Sequence, residues 1–199
     1  MNAVIKQNLF LTIDDAPSAH FLKKVSLLKE NKIPALFFIR GEFAEKRIHL
    51  LAKAIEEDFL LGNHSYSHPY FSRITMEERR SEILKTEEII EKAYQLAEVK
   101  RPLKIFRFPF GDEAPLDSDI KLPALGWTIE IKDYSAKLSR DIDTIIKQFS
   151  SDLEKAKNNR DTQDHLILMH DFEHNTHCLP LIIEEIKRMQ KNFHLSNFF

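Results

Sequence analysis

The stretch NLFLTIDDAP (residues 8–17) joins an apolar run to two adjacent carboxylates. Its first part, NLFLTI (8–13), has the composition of a buried β-strand. Asp14 and Asp15 follow that strand directly. In parallel α/β folds the chemistry is carried by side chains at the carboxyl ends of the strands. The stretch therefore predicts the first strand of such a fold, with both carboxylates at its functional end.

Short strand-like and helical runs alternate along the rest of the chain. The further predicted strands are ALFFI (35–39), FLLGNH (59–64), IFRF (105–108), WTIEI (127–131), HLILM (165–169) and HLSNF (194–198). This β–α alternation occurs roughly seven times, and most connections are short. It favours a single α/β domain with a parallel sheet covered by helices, either open or closed as a barrel.

Three stretches have the periodicity of a helix. Residues 18–32 and 46–57 are predicted as helices, and Thr75 opens the longest one. The residues TMEE (75–78) have the capping-box pattern of a helix N-terminus. Apolar residues then recur every seven positions, which predicts the buried face of this helix. The members of that face are Met76, Ile83, Ile90 and Ala97.

The composition excludes several classes of protein. Of 199 residues, 30% are charged and 43% hydrophobic, which is enough for one domain with a full core. The net charge of −2 gives no strong attraction to nucleic acid or to an anionic membrane. Cys178 is the single cysteine, so an intramolecular disulfide and a Cys-rich zinc module are both excluded. Any metal site must therefore use histidines and carboxylates.

The sequence also bears on location and cofactors. No apolar run reaches the roughly 20 residues that span a bilayer. The N-terminal stretch 1–17 has no signal-peptide pattern, which predicts a cytoplasmic protein or an exported one whose signal has been removed. Gly-rich phosphate-binding loops are absent, which weakens a nucleotide-binding interpretation. The oligomeric state stays open.

Two histidines stand four residues apart in GNHSYSHP (62–69). Within one helical turn, His64 and His68 would share a face, which suits two ligands of one ion. The alternative is a turn with a partly buried histidine. A third ligand can come from Asp14-Asp15, because adjacent carboxylates repel each other unless a cation or a proton separates their roles. A His-His-Asp set with open positions suits a hydrolytic metal such as Zn²⁺.

Two later strand ends carry further polar side chains. Arg107 lies within FRFPFGD (106–112), where it can orient a nearby carboxylate. His170 ends LILMHD (166–171), where it can act as a general acid if it faces a hydrolytic site. Taken singly, each residue is more typical of a structural role.

Taken in order, these residues resemble the polysaccharide deacetylases of carbohydrate esterase family 4. That family has five motifs, T-F-D-D-G-P, H-[ST]-x-x-H, R-x-P-[YF]-G, D-x-x-D-W and L-x-H. The corresponding stretches here are TIDDAP (12–17), HSYSH (64–68), RFPFG (107–111), EIKDY (130–134) and LMH (168–170). NKIPALFFIRGEFAEK (31–46) also looks like the family's second strand and turn. The resemblance covers almost the whole chain.

The resemblance implies a fold and an activity. The fold is a distorted (β/α)7 barrel, with residues 1–199 as one polysaccharide deacetylase-like catalytic domain. The activity is metal-dependent removal of N-acetyl groups from a chitin-, peptidoglycan- or exopolysaccharide-like amino sugar. The cofactor is one divalent ion, with Zn²⁺ expected first and Co²⁺ or Mn²⁺ as alternatives. The partner is an acetylated carbohydrate, and neither nucleic acid nor a membrane span is expected.

The resemblance also assigns roles to residues around the metal. Asp14 looks like the general base, and Arg107 would hold it in place. Asp15, His64 and His68 look like the metal ligands.

A second group of roles concerns the reacting amide. The backbone N–H of Phe110 would face the oxyanion. His170 would be the general acid, with Asp133 as its expected partner. The residues that would contact the substrate are Leu168 in the acetyl pocket, Pro109, Tyr134 and Trp127.

Two positions depart from the family pattern. Ala16 replaces the usual glycine, a change that is tolerated unless the position needs a positive φ. The fourth motif is degenerate, because Asp133 and Tyr134 match its Asp-Trp while Trp127 offers a competing alignment. Three other functions stay open: hydrolysis of another acyl linkage, a catalytically silent sugar-binding relative, and a purely structural domain.

Overall fold

The fold is built around its first strand, β1 (Gln7–Ala16). The structure is a computed structural model that describes residues 7–134, 142–159, 164–190 and 193–196. Leu9, Leu11 and Ile13 alternate along β1 and are fully buried. Such alternation places their side chains on one face of the strand, where they join the main hydrophobic core. The strand predicted from the first apolar run is therefore confirmed.

The described residues form a six-stranded parallel sheet. Its other strands are β2 (Ala35–Ile39), β3 (Leu60–Asn63), β4 (Ile129–Glu130), β5 (Asp164–His170) and β6 (Phe193–Leu195). The strand order is β3-β2-β1-β5-β4, and β6 pairs with the first residues of β1. In the register of β1 with β5, Asp14 lies opposite His170. Two of the residues predicted to be catalytic are thus neighbours across the sheet.

Two predicted strands are shorter than expected. Residues 105–108 make only bridges, from Phe106 to Asn63 and to Ala124. The bridge to Ala124 does not extend toward residue 104, because Pro123, which accepts a hydrogen bond from the Phe106 N–H, has no N–H of its own to donate. The predicted strand 127–131 shrinks to β4, and just before β4 the hydroxyl of Thr128, not a backbone carbonyl, accepts from the Leu166 N–H. The bridges at Phe106 nevertheless continue the sheet beyond β3 toward the segment that leads to β4.

The helices pack against this sheet. They are α1 (Phe21–Glu30), α2 (Gly41–Ala44), α3 (Ile48–Glu56), α4 (Met76–Leu96), α5 (Ile142–Asn158) and α6 (Leu179–Met189). The helix predicted at 18–32 begins later, because the Ser18 N–H and hydroxyl donate to Asp171 instead. The helix predicted at 46–57 is preceded by α2. None of the helices in the described ranges is both long and apolar enough to cross a membrane.

The longest helix among the described residues, α4, begins as the sequence predicts. The Thr75 hydroxyl accepts from the Glu78 N–H, and the Glu78 carboxylate accepts from the Thr75 N–H. Ile83 and Ile90 are buried, but Met76 is 41% exposed. The prediction that Met76 is buried is wrong, because Met76 is the first residue of α4 and lies in its exposed first turn, where residues 75–78 are all exposed. Of the predicted strand at 194–198, only its first two residues belong to β6, and residues 197–198 lie outside the described ranges.

Candidate active site

The two carboxylates at the end of β1 have different surroundings. Asp14 is 3% exposed, and its Oδ1 accepts a hydrogen bond of 2.8 Å from Nη1 of Arg107. Its Oδ2 lies 3.5 Å from Nε2 of His64. Asp15 has a φ of +62°, which is uncommon for a residue with a side chain. Its Oδ1 is buried without a hydrogen-bond partner in the described structure.

Arg107 is fixed on every side. It is 1% exposed, and its Nε and Nη2 donate to the carbonyls of Leu125 and Gly126. Its guanidinium carbon lies 4.2 Å from the ring centroid of Phe38. A guanidinium held this way cannot swing away, so it keeps Asp14 in one orientation.

Ala16, which replaces the usual glycine of the first motif, has a backbone conformation that alanine can adopt. Asp15 has a positive φ, whereas Ala16 does not. The left-handed residue of this turn is therefore the aspartate, and position 16 does not require a glycine.

The two histidines converge on one point. His64 Nδ1 lies 2.9 Å from the carbonyl of Arg107. A carbonyl can only accept, so Nδ1 carries the proton and Nε2 presents its lone pair to the site. This Nε2 lies 3.2 Å from Nε2 of His68, which in turn lies 3.6 Å from Oδ1 of Asp15.

These three side chains fit a metal ion. One ligand atom from each of Asp15, His64 and His68 lies within 4.8 Å of the others. Ligands about 2.1 Å from a common zinc ion would be about 3.0–3.5 Å apart. The distances from His68 Nε2 to His64 Nε2 and to Asp15 Oδ1, 3.2 and 3.6 Å, are close to this range. The buried, unpartnered Oδ1 of Asp15 supports the same conclusion, because a buried carboxylate oxygen needs a cation or a donor. The group can therefore hold a metal ion.

The electrostatics of His68 suit this role. Burial, reinforced by the nearby imidazole of His64, lowers the pKa of His68 to about 4. The ring is therefore neutral near pH 7, the form in which an imidazole binds a metal.

His170 and Asp133 form a second pair. His170 is the last residue of β5, and Asp133 lies just after β4. The His170 Nδ1 lies 2.6 Å from Oδ1 of Asp133, whose Oδ2 accepts from the backbone N–H of His170 at 2.8 Å. Burial acts to lower the pKa of His170, but the hydrogen bond and charge of Asp133 outweigh it and raise the pKa above its usual value. Asp133 is thus the residue placed beside His170.

The turn after Arg107 brings Phe110 beside the histidines. Phe110 has a φ of +59° and Gly111 a φ of +66°, so the chain turns sharply after Pro109. The Phe110 ring centroid lies 4.4 Å from that of His68. Its other neighbour is Tyr70, on which it stacks at 4.1 Å with an interplanar angle of 12°.

The predicted substrate-contacting residues differ in exposure. Tyr134 is 52% exposed, and its ring lies edge-on to His170 at 5.8 Å. Pro109 and Leu168 are buried, with Leu168 at 3%. Trp127 is half-buried against Gly111, where an added Cβ would come within 2.8 Å of the indole. Trp127 therefore supports the turn that carries Phe110.

Sequence reasoning assigned no role to three residues that surround the His170 pair. Asn175 is buried and donates to Asp133 Oδ2 at 2.6 Å. Lys24 and Asp171 form a fully buried ion pair, and the Asp171 N–H donates to the Asp14 carbonyl at 2.7 Å. The signal available in the sequence was a lysine on the apolar face of a helix, since Lys24 falls in step with the buried Phe21 and Leu28.

Comparison with known proteins identifies the family. Residues 2–121 match the family model described as polysaccharide deacetylase. This segment is more than half of the chain, and it contains the first three motifs. The chain belongs to the polysaccharide deacetylase family.

Individual relatives and structures agree. The chain is 36% identical over 108 residues to a peptidoglycan-N-acetylglucosamine deacetylase of Bacillus cereus, covering 54% of this chain and 38% of the relative. It is 27% identical over 133 residues to a chitooligosaccharide deacetylase of Sinorhizobium fredii, covering 64% of this chain and 60% of the relative. The match thus spans less than two thirds of either relative.

A solved structure extends the comparison to nearly the whole fold. A family 4 carbohydrate esterase from Streptomyces lividans, in complex with acetate, superposes with a TM-score of 0.72 and 25% identity. The match covers 92% of this chain and 88% of that one. The fold class predicted from the sequence, a single-domain α/β fold of the distorted (β/α)7 barrel type, is confirmed.

Proposed function

We propose that this chain is a metal-dependent hydrolase that removes N-acetyl groups from an amino-sugar polymer or oligomer, with residues 1–199 as its catalytic domain. The observation that carries the proposal is the placement of a metal-binding group next to two pairs of side chains that can transfer or orient a proton. Asp14, held by Arg107, adjoins Asp15 in the chain and lies 3.5 Å from His64 of the metal-binding group. The pair formed by His170 and Asp133 lies at the neighbouring strand end. The family relationship supports the same activity.

Zn²⁺ is the ion we propose for Asp15, His64 and His68, since two imidazoles and one carboxylate with open positions suit a catalytic zinc. When bound, the ion would polarise the acetyl carbonyl and favour deprotonation of the attacking water. Co²⁺ and Mn²⁺ accept the same ligand types and are the alternatives to test.

Asp14 is the proposed general base. Arg107 occupies one of its carboxylate oxygens, and the other faces His64 and hence the metal group. Asp14 takes a proton from water as the water oxygen bonds to the acetyl carbon. The negative charge that develops on the carbonyl oxygen would be met by the backbone N–H of Phe110.

His170 is the proposed general acid. Its Nδ1 is hydrogen-bonded to Asp133, which leaves Nε2 as the nitrogen that can deliver a proton. As the C–N bond breaks, the nitrogen takes its bonding electrons and the proton from His170, and the products are acetate and a free amine. Leu168 would line the acetyl pocket, while Pro109, Tyr134 and Trp127 would shape the sugar site.

Metal analysis combined with acetate release tests the proposal. We expect one divalent ion per chain and acetate production from N-acetylglucosamine oligomers. Chelation should abolish the activity and added Zn²⁺ should restore it. Faster acetate release from an O-acetylated sugar than from the N-acetylated oligomer would overturn the assignment of the amide as substrate.

Phe110 should contribute through its backbone, not through its side-chain chemistry. The Phe110 ring is 55% exposed, so Phe110→Tyr adds a hydroxyl without a clash and should leave kcat close to wild type. Phe110→Pro removes the N–H and should lower kcat by about 10²–10³-fold, the scale of one lost oxyanion-hole donor.

Because a proline ring can also distort the turn, the Phe110→Pro variant must be shown to be folded and metal-loaded. A loaded, folded variant with the normal rate would place the oxyanion donor elsewhere.

A further inference from the structure

Glu82 on α4 accepts three hydrogen bonds from the loop that carries both histidines. Its Oε2 accepts from the backbone N–H groups of Tyr66 and Ser67, at 2.9 and 2.7 Å. Its Oε1 accepts from the Ser67 hydroxyl at 2.8 Å. We propose that Glu82 is a positioning residue that sets the metal affinity of the site by holding residues 64–68 in their ligating conformation. This inference rests on the metal centre of the proposed function.

The conformation of this loop needs external support. Ser65 and His68 have φ values of +64° and +63°, in the left-handed region that residues with side chains seldom adopt. Such residues persist only where the surrounding structure holds them. Within the loop, the Ser65 hydroxyl accepts from the His68 N–H at 3.1 Å. The remaining support has to come from other elements.

The carbonyls and N–H groups of the loop are held by different elements. The carbonyls of Ser65 and Tyr66 accept from the N–H groups of Gly41 and Glu42, at 3.0 and 2.9 Å. The N–H groups of Tyr66 and Ser67 instead point to Glu82. Removing the Glu82 carboxylate would therefore leave two N–H groups of this strained loop without their acceptor.

His68 depends on this support more than His64 does. The His64 ring is fixed by the Arg107 carbonyl, and its backbone N–H donates to the Ile39 carbonyl at 2.9 Å. The His68 Nδ1 has no such hydrogen bond within the described part of the chain, and its ring packs on Phe110. The position of His68 therefore depends on the backbone of the preceding residue, Ser67, whose N–H donates to Glu82.

Glu82→Ala should weaken zinc binding by about 10–100-fold, the usual cost of losing a group that supports a metal ligand. The measurement is the Zn²⁺ dissociation constant of the full chain by competition with a chelator, together with the melting temperature of the metal-free protein. Glu82→Gln should bind zinc nearly as well as wild type. Its carbonyl oxygen can accept from both N–H groups, and its amide can donate to the Ser67 hydroxyl.

Glu88→Ala is the matched control. Glu88 lies on the same helix, is exposed, and its side chain has no partner among the described residues, so the same change of charge should leave zinc affinity unchanged. Equal loss in Glu82→Ala and Glu82→Gln would overturn the positioning role in favour of simple charge attraction.

A lower melting temperature of the metal-free Glu82→Ala protein with wild-type zinc affinity would overturn the proposal too, because Glu82 would then only stabilise the fold. The readout does not depend on substrate. A wild-type chain that binds zinc but releases no acetate would overturn the proposed function, while the ratio of affinities would still decide the role of Glu82.

Discussion

Asp14→Asn is expected to lower kcat by about 10²–10⁴-fold, the contribution of a general base, while the protein keeps one divalent ion per chain. The amide oxygen of the variant can still accept from Arg107, so the orientation of the side chain should survive. The capacity to accept a proton is lost, because an amide is not a base near neutral pH. The measurements are steady-state kinetics on an N-acetylglucosamine oligomer and metal content by elemental analysis.

Variants of the three proposed metal ligands are the control for Asp14→Asn, because they should lose the metal ion itself. Asp15→Ala, His64→Ala and His68→Ala should each abolish tight binding of the ion, and activity should disappear with it. A variant that lacks one of three ligands loses affinity and leaves buried polar groups unpaired. If Asp14→Asn loses the metal while Asp15→Ala retains it, the roles of the two aspartates are exchanged.

The site residues that could be predicted from the sequence are those whose positions follow from the chain segment next to them. Asp14 and Asp15 end a strongly apolar strand, and His64 and His68 share one short loop. Their convergence follows once the strands are parallel, because the carboxyl ends of β1 and β3 lie at the same edge of the sheet. Strand pattern and motif order were sufficient for these four residues.

The interactions that the sequence left undetermined are those between distant segments. Asp133 reaches His170 across 37 residues, and the degenerate motif around Asp133 gave two possible alignments. Glu82 is 15 residues from Ser67, and nothing in a helix rich in glutamate distinguishes it from its exposed neighbours. Residues 105–108 were predicted as a strand, but only Phe106 forms bridges. A short apolar run does not show whether the neighbouring segment can supply the hydrogen bonds of a full strand.

His170→Ala should also cost about 10²–10⁴-fold in kcat, because the departing amine then leaves without its proton donor. Metal content should stay at the wild-type level, since His170 is not among the three residues that converge on the metal position. A fully active His170→Ala variant would rule out its role as general acid.

The pH profile gives a more specific test of the same residue. A general acid works in its protonated form, so activity is present below its pKa and is lost as the pH rises through it. Asp133 raises the pKa of His170, which places this loss above the ordinary imidazole value of about 6.5. Asp133→Asn removes the charge responsible, so the high-pH limb of kcat/KM should move to lower pH.

The matched control for that shift is Asn175→Ala. Asn175 donates to Oδ2 of the same carboxylate, so its removal perturbs the local packing but leaves the charge of Asp133 in place. The high-pH limb should therefore stay at the wild-type position or lie above it, because Asp133 loses a competing donor. If Asp133→Asn and Asn175→Ala shift the limb equally toward lower pH, the effect comes from disturbed packing and the limb does not report the His170–Asp133 pair. A shift confined to Asp133→Asn would identify the His170 proton as the one whose loss ends activity at high pH.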